Sequence, residues 1–146
     1  MTYLPEEIRQ KIIDRIAATA TTSATFYRAA SSALDAEWPA FILEYDAHEN
    51  NWAGTESDRK IFMFRLSVVY RYDPKSEDSR ELAEKAISDA IGELYRVTFE
   101  KPDALELPNG WVRASNVSWG YGATASDIPL RIAEMQVAVT VHQARS

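Results

Sequence analysis

The sequence predicts an α+β fold in a single domain, a mostly antiparallel four-stranded sheet with two helices on one face, in the order α-β-β-α-β-β. Three observations carry this. Two stretches repeat their apolar residues at helical spacing, and two others alternate apolar and polar residues over a dozen positions. The length of 146 residues is that of one domain. A chain of this size buries about two-thirds of its unfolded surface, enough to fold without a disulfide or metal.

The first helix follows Pro5. Leu4, Ile8, Ile12 and Ile16 recur every fourth residue, with Ile13 and Ala17 widening the stripe. Pro5 suits a first helical position, and Glu6 and Glu7 complement the positive end of the helix dipole. The Thr19–Ser23 stretch ends the helix, and residues 24–37 are expected to connect onward with at most one helical stretch. Pro39 biases Trp38 toward an extended backbone, so a strand is expected at about 40–46.

Residues 47–59, "AHENNWAGTESDR", are expected to form a polar loop. In the strand that follows, "KIFMFRLSVVYRY" (60–72), Phe62, Phe64, Leu66, Val68 and Tyr70 share one face, and the other face is mixed. "DPKSEDSRELAEKAISDAIGELYRV" then opens the second helix, with Asp73 as cap and Pro74 in the first turn. Its apolar stripe is Leu82, Ala86, Ile87, Ala90, Ile91 and Leu94. A Pro- and Gly-bearing loop, "FEKPDALELPNG", leads to a strand near 111–118. Residues 119–129, "WGYGATASDIP", read as a second long loop. The closing strand, "LRIAEMQVAVTVH", sets Ala133, Met135, Val137, Val139 and Val141 on one face, against Glu134, Gln136 and Thr140.

Composition narrows the function. With no cysteine, the chain can hold neither a disulfide nor a thiolate metal site, and it has no thiol nucleophile. The N-terminal "MTYLPEEIRQKIIDRI" lacks the basic start and apolar core of a signal peptide. No run approaches the roughly 18 apolar residues of a membrane span, so no membrane partner is expected. The net charge of −6 repels phosphate, which argues against direct nucleic-acid recognition.

No catalytic, cofactor-binding or metal-ligating residue is assigned. His48 and His142 belong to no ligand-spaced motif. No serine sits in a nucleophile elbow, and the GxG of "WGYGATAS" lacks the third glycine and the strand-to-helix setting of a phosphate loop. The adjacent carboxylates Glu6-Glu7 and Glu77-Asp78 sit at helix starts, where capping accounts for them. What remains is Trp52, Trp119 and Tyr121, large aromatics in polar or glycine-bearing segments. Such residues either fold back over the ends of the sheet or anchor a contact with another chain. Trp52, Asn50, Asn51, Trp119 and Tyr121 are therefore the expected protein-interface residues.

The layout resembles that of the tail terminator, or tail completion, proteins of long-tailed bacteriophages. The resemblance rests on the helix "LPEEIRQKIIDRIAA", the proline-led strand "WPAFILEYD" and the polar stretch after it. It continues through "KIFMFRLSVVYRYD" opening into "SRELAEKAISDAIGELYRV", then "SNVSWGYG" and "RIAEMQVAVTVH". It covers essentially the whole chain and implies no catalytic residue. It implies a virion protein at the tail–neck junction, assembled in the host cytoplasm. There it forms a homo-oligomeric ring, typically a hexamer, on the head-proximal end of the tail tube. That ring stops tube polymerisation and joins the neck or head-completion protein, and DNA passes through its lumen without sequence-specific binding. The acidic balance and the 21–37 segment equally suit a neck or head-completion protein. From a different class, a small-ligand-binding or hydrolytic α+β domain is the alternative, for which a deep apolar pocket with convergent polar groups would be the sign.

Overall fold

A computed structural model gives the structure of the chain. It describes residues 4–19, 26–27, 39–52, 57–123 and 127–144; for 26–27, 47–52, 57–58 and 143–144 it describes the backbone alone. The elements are α1 (Pro5–Thr19), β1 (Phe26–Tyr27), β2 (Ala40–Trp52), β3 (Ser57–Arg71), α2 (Glu77–Glu93), β4 (Gly110–Ala123) and β5 (Pro129–Ala144). A π-helical turn, Leu94–Thr98, extends α2.

The α+β architecture and the order α-β-β-α-β-β hold. β2, β3, β5 and β4 form an open antiparallel sheet, and the two-residue β1 adds to β2 in parallel. That short strand lies inside the segment expected to be a connection; a pairing this brief leaves no alternation for the sequence to display.

One face of the sheet meets both helices. Phe41 and Leu43 of β2, Phe62, Phe64, Leu66 and Val68 of β3, and Ala133 through Val141 at alternate positions of β5 form a continuous core. Ile8, Ile12, Ile16, Ile87 and Leu94 from the helices pack into it. Period-two strands and period-four helices thus bring their apolar sides to the same plane. On the opposite face, Ala40, Ile42, Val69 and Leu130 make a smaller buried cluster.

Capping fixes the helix ends. The cap of α2 is Ser76 rather than Asp73: the Ser79 amide donates to Ser76 Oγ at 3.2 Å, while the Asp73 amide donates to Ser79 Oγ at 2.8 Å. Asp73 instead holds the turn before the helix, its carboxylate accepting from the Lys75 amide at 3.0 Å. At the far end Arg15 of α1 donates to the Thr98 and Val97 carbonyls at 3.0 and 3.2 Å, satisfying acceptors that the end of a helix leaves without partners. Leu4 and Leu82, counted with the apolar stripes, are exposed at 59% and 56%; Ala83 takes the buried place on α2. Ile91, expected in the core, is only partly buried against it.

Both expected long loops are largely strand. β2 runs on to Trp52 and β3 begins at Ser57, so most of 47–59 is the end of a β-hairpin. Trp119 to Ala123 continue β4, which hairpins into β5. Polarity and glycine suggested loops, but an antiparallel ladder needs only backbone groups to pair.

Candidate functional site

The expected interface residues occupy two places rather than one. Asn50, Asn51 and Trp52 end β2, opposite Lys60, Arg59 and Asp58 of β3. Their side chains lie outside the described residues, so the structure fixes their backbone and not their contacts. Trp119 and Tyr121 lie on β4, opposite Ala133 and Arg131 of β5. Because β3 and β5 run between β2 and β4, the two groups stand on opposite edges of the sheet. They also stand at opposite ends of the strands: the row through Trp119 crosses Ala133, Val68 and Phe41, well away from Trp52.

Trp119 and Tyr121 are positioned by a bulge. Ser115 pairs with Gln136 and Ser118 with Glu134, so one extra residue enters β4 between them. Asn116 takes a left-handed backbone there, φ 54–59° being reached in this chain only by Glu106, Asn109, Asn116 and Asp127 among the described non-glycine residues. Its side-chain amide donates to Gln136 Oε1 at 3.2 Å. The added residue shifts the phase of β4, so that Trp119 and Tyr121 fall opposite Ala133 and Arg131, on the helix side of the sheet.

There both aromatics lie against one cation. The Arg131 guanidinium sits 4.3 Å from the Tyr121 ring centre and 5.0 Å from that of Trp119. It also donates to the Gly120 carbonyl at 2.8 Å and pairs with Glu84 of α2. Tyr72, just after β3, meets Tyr121 at 5.9 Å between ring centres. Arg131 is thereby a staple between α2 and the β4–β5 hairpin, with its charge compensated and its face covered. Sequence reading missed Arg131, Glu84 and Tyr72. One signal was present: Arg131 is in phase with the apolar side of β5, a place for a charge only where a partner waits.

The aromatics are half structural and half surface. Trp119 remains 41% exposed and Tyr121 66%, so each leaves much of its ring to solvent while touching Arg131. Removing Arg131 therefore tests the first role. Arg131→Ala should destabilise the monomer by about 1–3 kcal/mol, the scale for a charged hydrogen-bonding group with a cation–π contact. Chemical denaturation reads this, and an unchanged midpoint would mean that the cluster stabilises nothing.

Elsewhere the described surface carries ion pairs and a shallow groove. On the open face, Arg65 bridges Glu44 at 3.3 Å and Glu134 at 3.5 Å, a ladder across β2, β3 and β5 with all three side chains well exposed. The Tyr45 phenol, edge-on to Phe64 at 5.5 Å, is held above its usual range by desolvation. A groove of about 260 Å³ between α2 and β2 is floored by Ile16, Phe41, Ala86, Ala90 and Leu94. Two of the charged groups on its rim, Lys85 and Asp89, pair with each other at 3.5 Å on the exposed side of α2 instead of converging on the floor. Among the described residues no three His, Asp or Glu side chains are grouped to hold a metal ion, and no helix is long and apolar enough to cross a membrane. No protein-family model matches the chain, and no curated protein matches it either.

Proposed function

We propose that the chain is a non-enzymatic virion protein of the tail-terminator type, whose copies form a ring, of six in the family it resembles, on the head-proximal end of a phage tail tube. The ring stops tube polymerisation and offers the neck or head-completion protein a docking surface. The observation that carries this reading is a pair of unlike edge stretches, the end of β2 beyond the two residues that β1 covers and, on the other side of the sheet, β4; among the described residues no further strand pairs with either, and each bears residues singled out as contacts. Closed rings need two different surfaces on every subunit, each meeting the other on the next copy. The net charge of −6 adds support, since an acidic lumen lets DNA pass without adhering. The same features also serve a neck protein, which differs in meeting the head rather than the tube.

Tube polymerisation decides between these. The purified chain, added to assembling tail-tube subunits, should cap tubes and halt their growth; a chain that binds only head-side connectors is a neck protein. A protein absent from purified virions would refute both readings. Within this reading Trp52→Ala should leave monomer stability nearly unchanged and weaken ring or tube contact by ~1–3 kcal/mol. Thermal melting and tail completion measured on that one variant separate the roles. Early melting with normal completion would make Trp52 a structural residue.

A further inference from the structure

The two sheet edges show how such copies could join. In β4 the Val112 amide donates to the Pro102 carbonyl at 2.9 Å, so Val112 turns its backbone away from β5 and the 101–109 loop covers that stretch. By ladder alternation, resumed after the bulge at Asn116, Trp119, Tyr121 and Ala123 turn their amides and carbonyls outward as well. Among the described residues no strand pairs with them. In β2 the corresponding boundary is marked by Arg9, whose Nε donates to the Leu43 carbonyl at 2.9 Å, and by β1 alongside Phe41 and Ile42. Beyond the register shift at Asp46, the backbones of His48, Asn50 and Trp52 face away from β3.

Among the described residues, each edge is thus closed over one part, interrupted by a bulge, and without a strand partner for a short run beyond it. Charge matches them further. Natural sheets guard exposed edges with charged side chains, lysine above all. Here residues 114–126, "ASNVSWGYGATAS", contain no charged residue, and residues 48–52, "HENNW", carry one, Glu49. For a chain of net charge −6, stretches of low charge are where two copies approach with least repulsion. Their diagonal placement means that a copy using one edge keeps the other free.

We infer that the outer edge of β4 at residues 117–123 adds, as a strand, to the outer edge of β2 at residues 48–52 in the next copy of this chain. The sheets of successive copies then join through main-chain hydrogen bonds. This rests on the ring reading and specifies its contact. Main-chain pairing supplies the affinity, and the flanking aromatics supply selectivity.

Because the chain has no cysteine, disulfide trapping reads this contact without background. Tyr121→Cys combined with Asn50→Cys, assembled and then oxidised, should give a ladder of covalent oligomers up to the full ring on non-reducing gels, while each single variant stays uncrosslinked. Pairing Tyr121→Cys with His48→Cys or Trp52→Cys, or Trp119→Cys with Asn50→Cys, repeats the test in neighbouring registers should one variant fold poorly. A covalent dimer from Tyr121→Cys alone would show β4 against β4 and overturn the inference. Rings that form yet trap in none of these pairs overturn it too and leave the ring reading standing. A wild-type chain that sediments only as a monomer overturns the ring reading itself.

Discussion

Replacing Phe64 by alanine is expected to lower the free energy of unfolding by about 3–5 kcal/mol, the cost of emptying a large buried aromatic site. Phe64 is the side chain around which the layers meet. It is fully buried, stands opposite Tyr45 on β2 and Val137 on β5, and belongs to the core shared with both helices. A cavity at the middle strand cannot be closed by moving one element, because β3 is held on both sides by long ladders. Urea unfolding should show a lower midpoint with an unchanged slope, the signature of lost stability without a change in exposed surface. A loss below about 1 kcal/mol would mean that the site collapses freely and that the strand phase is not what orders the core.

The second large effect falls on assembly. Tyr121→Lys should cost the monomer about 1 kcal/mol, since the position is mostly exposed and loses one cation–π contact with Arg131. Association between copies should fall by roughly 100-fold or more, because burying an ammonium group without a partner costs several kcal/mol and each 1.4 kcal/mol is tenfold. Lysine is also the residue with which natural edge strands prevent pairing. Urea denaturation of the variant measures the first outcome, and sedimentation beside the wild type measures the second. A folded Tyr121→Lys chain that assembles normally would remove β4 from the contact.

Much of the fold was legible because it is written in periods. The alternation in 60–72 and 130–142 gave the strand faces correctly, and Phe62, Phe64, Leu66, Val68, Val137 and Val139 are all buried as expected. The isoleucines of α1 likewise fall on the core. Periodicity failed at the ends of β2 and β4. Both pair with their neighbours through the backbone, and their polar and glycine residues read as loops. β1 is too short to alternate. Leu82 kept helical spacing yet stands in solvent, since spacing gives a face but not how far the sheet beneath it extends.

The site was legible in part for a related reason. Composition singled out Trp119 and Tyr121, and both are partly exposed, but their common partner Arg131 is distant in sequence from Glu84, and only the fold brings the two together. A cluster held by one cation between a helix and a hairpin has no sequence spacing by which to recognise it. The separation of Trp52 from Trp119 was hidden as well, because strand order in a sheet does not follow chain order.

The mass of the assembled protein tests the central claim most directly. Native mass spectrometry across a range of concentrations should find a closed oligomer with a defined subunit number, six copies of the 16.5 kDa chain, without a series of larger species. Closure is the point, since heterologous contacts that fail to close make filaments rather than rings. A single peak at the monomer mass at every concentration, or an open-ended series that never terminates, would contradict the account.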